Sequence, residues 1–372
     1  MSFSKPFIDT PLGAAAARGD LRTLREQIAI LNPSNRDLDE ALTLAARYGN
    51  VPATEMLLRE GADPDTGVSD IPPLFFATSP SIIEALLHHG SNPNQRMDDG
   101  STPLHWVCMN HKLEPDIASH KILTLLRGGA ELDIQDYCGS TPLQTAARSG
   151  SSAAIPLLCA FGAMIDSCDP EGRTALHLAS INGHTDAVRV LIGHGANVRA
   201  RAADGFEPLH YAAYSGHLNT VKILIAHGSN LEAEDVDGIQ PAHWAALNRH
   251  SACVRFFLEQ KVSPNVRTQN GTSLLAFAAQ GGCPECLELV LNAGATIDVP
   301  NNHGWTPLFY AIISQNVQAV SMLLAHGACR TWKDNTGHSP LDVAKQFATD
   351  EIASLIRPVQ KLDRTKNGGD GR

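Results

Sequence analysis

The fold is decided by the stretch at residues 205–238, which reads GFEPLHYAAYSGHLNTVKILIAHGSNLEAEDVDG. Gly205 supplies a turn conformation that residues with a side chain reach only with strain. Pro208 suits the first position of a helix, because its missing N–H group would have had no partner there. The small residues Ala212 and Ala213 then predict a short helix that a neighbouring helix can approach closely.

A second helix is predicted after Gly216. Val221, Leu224 and Ile225 recur at the i, i+3, i+4 spacing of an amphipathic helix, and Gly228 stops that pattern. A polar, turn-prone segment leads to the next turn glycine. The stretch therefore predicts a helix–turn–helix unit with a projecting turn, which is too small to bury its own apolar face.

The same unit recurs along the chain at intervals of 33 residues. The turn glycines are Gly139, Gly172, Gly205, Gly238, Gly271, Gly304 and Gly337. The first helix keeps an apolar residue at Leu143, Leu176, Leu209, Ala242, Leu275, Leu308 and Leu341. A fixed period of this length indicates an array of stacked repeats rather than separate globular domains.

Short motifs recur inside the units. They include Thr102-Pro103-Leu104-His105, Thr174-Ala175-Leu176-His177, Pro208-Leu209-His210 and the Gly-His pairs at 183–184 and 216–217. In these motifs the units resemble the ankyrin repeat, and about eleven of them, counting partial ends, cover essentially the whole chain. The resemblance implies an all-α repeat solenoid of stacked helix–turn–helix units with projecting β-turn hairpins.

The regularity of the repeats predicts four parts. Residues 1–139 form irregular N-terminal repeats with an insertion near 111–117, and residues 140–337 form regular 33-residue repeats. Residues 338–358 form a C-terminal capping repeat. Residues 359–372 lack periodicity and are expected to be a disordered tail. Within the first part, the third unit is short between its two helices.

Composition and charge exclude several classes of function. The 372 residues carry 29 basic and 39 acidic side chains, a net charge of −10, so a phosphate-neutralising basic face is not expected. No apolar stretch is long enough for a signal peptide or a membrane span. The eight scattered cysteines are typical of reduced thiols. We expect an intracellular protein, cytoplasmic or nuclear and monomeric by itself, that binds neither nucleic acid nor membrane.

The histidines of the first helices suggest a metal site that their spacing excludes. His105, His177, His210 and His243 occupy one repeat position. Stacked helices lie about 8–10 Å apart, whereas each zinc ligand lies within about 2.1 Å of the ion. We therefore expect each imidazole to hydrogen-bond to neighbouring turn backbone.

A metal-like spacing occurs at Cys283-Pro284-Glu285-Cys286. It lacks a second Cys or His pair nearby, so the cysteines are expected to be small core residues, with a zinc or redox role as the alternative. No nucleophile, base and oxyanion site assembles in the sequence. We expect no catalytic residue, no metal and no cofactor.

The resemblance implies that the concave surface of the stack, lined by turns and first helices, binds another protein. The repeat register identifies the residues that would line it. The predicted partner-binding residues are Tyr137, Ile181, Phe206, Tyr214, Val236, Ile239, Leu247, Trp305 and Ile313. Alternatively, Phe206 and Ile239 pack between adjacent turns and stiffen the stack. Nearby acidic residues, Glu234, Asp235 and Asp237, favour a partner with a basic segment.

Three functions follow from these patterns. The leading hypothesis is a non-catalytic interaction module: a scaffold, adaptor or stoichiometric regulator of another protein. The second is a substrate-recruiting subunit of a larger complex, such as a protein-modifying enzyme. The third is an enzyme or metal-binding protein that uses Cys283 and Cys286.

Overall fold

The computed structural model describes residues 10–68, 71–110 and 113–357. The chain divides into two compact units, Met1–Ala203 and Asp204–Arg372. The described residues form 22 α-helices and, apart from one isolated bridge between Arg267 and Ser273, no β-structure. The predicted all-α repeat fold is confirmed. The predicted tail at 359–372 lies outside the described residues, and the division into regular and irregular repeats stays a prediction.

The first unit contains twelve helices in two layers. They are α1 Pro11–Arg18, α2 Leu21–Leu31, α3 Asn35–Arg47, α4 Val51–Arg59, α5 Pro73–Phe76, α6 Pro80–His88, α7 Pro103–Met109, α8 Pro115–Arg127, α9 Pro142–Ser149, α10 Ala154–Ala160, α11 Ala175–Ile181 and α12 Thr185–Gly193. Each odd-numbered helix packs against the next odd-numbered helix, and the even-numbered helices form the second layer in the same way.

The second unit repeats this arrangement with ten helices. They are α13 Pro208–Tyr214, α14 Leu218–Ala226, α15 Pro241–Leu247, α16 Ser251–Glu259, α17 Leu274–Gly281, α18 Pro284–Asn292, α19 Pro307–Ile313, α20 Val317–Ala325, α21 Pro340–Phe347 and α22 Asp350–Ile356. The odd-numbered helices again form one layer and the even-numbered helices the other.

Small apolar residues let the odd-numbered helices stack closely. The alanine pairs of α13 and α15, Ala212–Ala213 and Ala245–Ala246, are completely buried. Leu209 is also fully buried and fills the space toward the second layer, together with Leu224 of α14. The predicted small-residue face of the first helix is therefore the packed face, and the longer side chains at the helix ends are left for the surface.

Backbone hydrogen bonds join neighbouring loops. The N–H of Tyr137 donates to the carbonyl of Asp99 at 2.9 Å, and the N–H of Val236 donates to the carbonyl of Asp204 at 3.3 Å. Pro170 occupies the equivalent position in its repeat and cannot donate, because proline has no N–H group. These bonds hold the loops side by side and present their tips as one surface within each unit.

Helix lengths vary more in the first unit than in the second. Helix α5 has only four residues, whereas α8 has 13 and the other even-numbered helices have seven to eleven. Part of the insertion predicted near 111–117 therefore lengthens α8, which begins at Pro115; residues 111–112 lie outside the described part of the chain.

Candidate functional site

Four aromatic side chains meet on one side of the second unit. The ring centroid of Phe206 lies 5.0 Å from that of Tyr211 and 5.3 Å from that of Trp244. The ring of Trp244 lies 5.7 Å from that of Tyr214. These four residues are the aromatic patch. Their separations are typical of tilted rings in contact, so the patch is packed rather than a loose collection of exposed rings.

Three elements position the patch. Phe206 lies in the loop before α13, where its N–H donates to the Asp204 Oδ1 atom at 2.9 Å. Tyr211 and Tyr214 are three residues apart on α13 and so share one face of that helix. Trp244 comes from α15, which packs directly against α13.

Two carboxylates fix the polar edges of the rings. The hydroxyl of Tyr211 donates to Asp204 Oδ2 at 3.1 Å, and the Trp244 Nε1–H group donates to Asp235 Oδ2 at 3.0 Å. Tyr211 and Trp244 are each held by a hydrogen bond as well as by packing. Binding of a ligand to these rings therefore costs little of their side-chain conformational entropy.

Five predicted site residues of the second unit lie in α13, α15 or the loops before them and are at least partly exposed. Tyr214 is 42% exposed and Val236 is 59% exposed, while Phe206, Ile239 and Leu247 are half-buried. The backbone bond from Val236 to Asp204 places the Val236 loop beside the loop of Phe206. Ile181, which was predicted to join them, is the half-buried last residue of α11 in the first unit.

Sequence reasoning missed Tyr211 and Trp244 as members of this site. Both follow directly after a capping histidine in the first helix, a position that the predicted set did not include. That position is aromatic in six repeats, at Phe76, Trp106, Tyr211, Trp244, Phe277 and Tyr310. This recurrence is the signal that could have identified them.

The predicted Trp305 and Ile313 belong to a second aromatic group. The Trp305 ring stacks on Phe309 at 6.3 Å and meets Tyr310 edge-on at 5.8 Å. Its Nε1–H group donates to Asp334 Oδ2 at 3.3 Å. Trp305 is half-buried in these contacts, whereas Ile313, the last residue of α19, is exposed.

Tyr137 lies in the first unit beside a polar cleft. Its side chain is 70% exposed, and the Arg96 guanidinium lies over its ring at 5.4 Å from the centroid. The cleft has a volume of about 530 Å³ and is lined by Tyr137, Cys138, Arg148, Pro170, Glu171 and Arg173. Arg173 forms ion pairs with Asp169 at 2.8 Å and Glu171 at 2.9 Å. Tyr137 therefore belongs to the first unit, whereas the aromatic patch belongs to the second, and charged side chains line the cleft beside Tyr137.

The acidic residues beside the patch differ in their availability to a partner. Asp235 is buried, and its Oδ1 atom accepts hydrogen bonds from the N–H groups of Asp237 and Ile239 at 2.9 Å each. Asp235 therefore serves its own loop and Trp244. Glu234 and Asp237 are exposed.

The histidines of the first helices are structural. In His210 the Nδ1 atom accepts the N–H of Glu207 at 3.0 Å, and the Nε2–H group donates to the carbonyl of Ala233 at 3.0 Å. His105 and His177 make an equivalent pair of contacts: Nδ1 accepts the N–H of Thr102 or Thr174, and Nε2–H donates to the carbonyl of Ser140 or Ala200 in the following turn. The expected bonds to turn backbone are confirmed for these three.

His243 accepts the N–H of Gln240 at Nδ1 at 3.2 Å, but its buried Nε2 atom has no hydrogen-bond partner among the described residues, so the expectation fails there. Burial lowers the pKa of His105, and it lowers the pKa of His243 to about 4, which keeps both rings neutral.

Cys283 and Cys286 are both buried, and the N–H of Cys286 donates to the Cys283 Sγ atom at 3.3 Å. Cys283 thus caps the start of α18. Burial raises the pKa of the Cys286 thiol, which disfavours the thiolate that binds metal. In the part of the chain that the structure describes, no three His, Cys, Asp or Glu residues are grouped so as to hold a metal ion.

None of the helices in the described ranges has both the length and the apolar character needed to cross a bilayer.

One protein family matches most of the chain. The family described as Ankyrin repeats (3 copies) matches residues 116–202, 196–268, 243–334 and 275–363, and a single Ankyrin repeat matches residues 39–67. Together these matches cover more than half of the chain.

Individual relatives share parts of this repeat array. The chain is 34% identical over 154 residues to E3 ubiquitin-protein ligase KEG of Arabidopsis thaliana, covering 40% of this chain and 9% of that protein. It is 33% identical over 125 residues to Cyclin-dependent kinase 4 inhibitor B of Homo sapiens, covering 32% of this chain and 84% of that protein. The chain spans less than a sixth of the length of the first curated relatives that it matches.

A solved structure has a similar fold. The crystal structure of human ASB11 ankyrin repeat domain matches with a TM-score of 0.53 and 25% sequence identity. The match covers 58% of this chain and 96% of that domain.

Proposed function

The chain belongs to the ankyrin repeat family, and from this premise we propose that it is a non-catalytic protein-interaction module, acting as a scaffold, adaptor or stoichiometric regulator. Ankyrin repeats are protein–protein interaction modules, and the fold is typically non-catalytic. The observation that carries the proposal is the aromatic patch of Phe206, Tyr211, Tyr214 and Trp244.

The patch has the composition of a binding hot spot. Tyrosine and tryptophan are enriched among the residues that dominate binding energy, and they lose little conformational freedom when they are already packed. Within the patch Tyr214 is exposed, and the exposed Val236 adds apolar surface beside it. The patch is therefore the proposed anchor point for the partner.

The charge around the patch favours a partner with a basic segment. Residues 204–357 contain 14 acidic and nine basic side chains, and Glu234 and Asp237 are exposed on the loop that carries Val236. Opposite charges near an apolar anchor speed association and fix the orientation of the partner. We expect binding to weaken as salt concentration rises.

The proposal is tested by capturing partners with three versions of the chain. The wild type, a Tyr214→Glu/Val236→Glu variant and a Met164→Glu variant are immobilised, and proteins retained from an extract of the source cells are quantified by mass spectrometry. Met164 is a matched control, because it is 58% exposed and lies outside the predicted set. Loss of a partner with the double variant is expected, with at least a tenfold drop in retention.

The controls decide how a loss is interpreted. Circular dichroism must show equal helicity for all three proteins. Retention of the same partners by the double variant and by the wild type would remove the patch as the site. Equal loss with Met164→Glu would indicate a general effect of added charge instead.

A substrate-recruiting role is the second candidate, favoured by the 34% identity to a protein named as an E3 ubiquitin-protein ligase. Such a subunit needs two partners: a substrate and the modifying machinery. The insertion at 111–117, whose last three residues begin α8, offers a second contact region because it interrupts the regular repeat. Deletion of 111–117 should then abolish one partner and retain the other, whereas a simple regulator keeps its single partner.

A further inference from the structure

A buried lysine lines a small pocket in the first unit. Lys121 lies on α8 and is only 6% exposed. Its Nζ atom donates to the carbonyl of Ala77 at 2.8 Å. An ammonium group has three N–H donors, so this bond leaves two. Among the described residues no carboxylate forms an ion pair with Lys121.

The pocket next to Lys121 is mainly apolar, with Thr78 and Asn110 as further polar lining residues, and has a volume of about 210 Å³. Its walls include Leu74, Phe75, Ile83, Trp106 and Val107. The rings of Phe75 and Trp106 meet edge-to-face with centroids 6.4 Å apart. Sites for drug-sized molecules measure about 300–1,000 Å³, so this pocket suits a smaller ligand.

The irregular repeats create this pocket. Helix α5 ends at Phe76 after four residues, so it leaves open space that a full-length first helix would fill. The 13-residue α8 brings Lys121 to that space from the second layer. The first helices of the other repeats have seven to 13 residues.

Capping the backbone does not account for a lysine at this place. The bond to Ala77 satisfies one carbonyl at the end of α5, which any neutral donor could do. A buried ammonium is costly without a counter-charge, and burial accordingly lowers the pKa of Lys121. An anion in the pocket would supply the counter-charge and accept the two remaining N–H groups, while the apolar walls require that the rest of the ligand be apolar.

We propose that this pocket binds a small monocarboxylate with an aromatic or branched apolar body. The carboxylate pairs with the Lys121 ammonium, and the apolar body packs against Phe75 and Trp106. This site is independent of the aromatic patch, so its failure and the failure of the proposed interaction function are separate results.

The test uses benzoate as the anionic probe and benzamide as its neutral counterpart, each titrated into the full-length chain by calorimetry. We expect saturable benzoate binding that is at least tenfold tighter than benzamide binding. Trp106 is the only tryptophan of residues 1–203, so its fluorescence reports the location. The benzoate-dependent change in fluorescence should vanish in a Trp106→Phe variant.

Two lysine variants complete the design. Lys121→Met should weaken benzoate binding at least tenfold, whereas Lys222→Met on α14 should leave it unchanged. If Lys121→Met does not fold, the comparison of benzoate with benzamide on the wild type decides alone. Absence of benzoate binding, equal binding of the two probes, or unchanged binding in a folded Lys121→Met variant would each overturn the proposal.

Discussion

At the scale of single residues, the repeats depend on a neutral cap that accepts one hydrogen bond and donates another. His210 provides it with the two nitrogen atoms of its ring. Gln144 provides the same pair with its amide: Oε1 accepts the N–H of Thr141 at 2.8 Å, and Nε2 donates to the carbonyl of Ser167 at 2.9 Å. The cap therefore requires an acceptor and a donor at the right spacing and not an imidazole as such.

This equivalence predicts the effect of His243→Gln. Burial holds the folded-state pKa of His243 at about 4, below the unfolded value of about 6.5. The unfolded state therefore takes up a proton first, and stability is lost as pH falls from about 6.5 to about 4. The loss amounts to at most about 3 kcal/mol. Glutamine does not titrate, so the variant should lose less stability on acidification.

The measurement is urea denaturation of the wild type and His243→Gln at pH 7 and pH 4.5. At pH 7 the two free energies of unfolding should agree within about 1 kcal/mol, because glutamine keeps the acceptor that the His243 Nδ1 atom offers to the N–H of Gln240. At pH 4.5 the variant should be the more stable protein. A difference between the two proteins that stays constant with pH would show that His243 does not contribute to acid sensitivity.

The sequence predicted the histidine caps because they depend on one residue at a fixed repeat position and on the backbone of the neighbouring turn. It predicted the aromatic patch only in part. Phe206 and Tyr214 occupy positions that the repeat register marks as surface, whereas Trp244 reaches the patch by crossing from α15 to α13. Such a contact depends on the direction of a long side chain between repeats, which periodicity alone does not specify.

At the scale of helices, stacking distance sets which residues are tolerated. A Cβ atom added to Gly281, the last residue of α17, would lie 2.3 Å from the carbonyl oxygen of Leu247 on α15. A Cβ atom on Gly193, the last residue of α12, would meet nothing within 4 Å. The two glycines end similar helices but have opposite surroundings.

Alanine substitutions should therefore have opposite effects at these two positions. Gly281→Ala should destabilise the fold by about 1–3 kcal/mol, because the backbone of α15 cannot move aside cheaply. Gly193→Ala should stabilise it by about 0.5–1 kcal/mol, because alanine has the better helix propensity. Chemical denaturation of both variants measures the difference. Changes of the same sign would mean that α15 and α17 are not held at this distance in solution.

Among the features of the helices, their lengths were the hardest to predict from the sequence. The 33-residue period placed the regular helices, since each one repeats the same start and stop residues. The four-residue α5 and the 13-residue α8 lie where that period breaks, at the short third unit and the insertion that follows it. The sequence marked the short third unit and the insertion. It did not predict the pocket lined by Lys121, because the pocket depends on how α8 packs beside the end of α5.

At the scale of the whole chain, burial is uneven along the repeats. Helix α2 buries only Leu24 and leaves Ile30 and Leu31 exposed, and α5 contributes one turn. Helix α17, by contrast, buries six of its eight residues. In a repeat array each unit is stabilised mainly by its neighbours, so weak units are expected to open without the rest.

This unevenness predicts graded hydrogen exchange. Amides of α2 and α5 should exchange faster than those of α13, α15, α17 and α19, because α2 buries a single residue and α5 contributes only one helical turn. Exchange in native buffer, followed by mass spectrometry of peptides, measures this directly. Gly281→Ala serves as the internal check, since it should raise exchange in α15 and α17 and leave α1 to α6 unchanged. Equal protection of α5 and α17 in the wild type would mean that the chain opens as one cooperative body, and that the short helix costs no local stability.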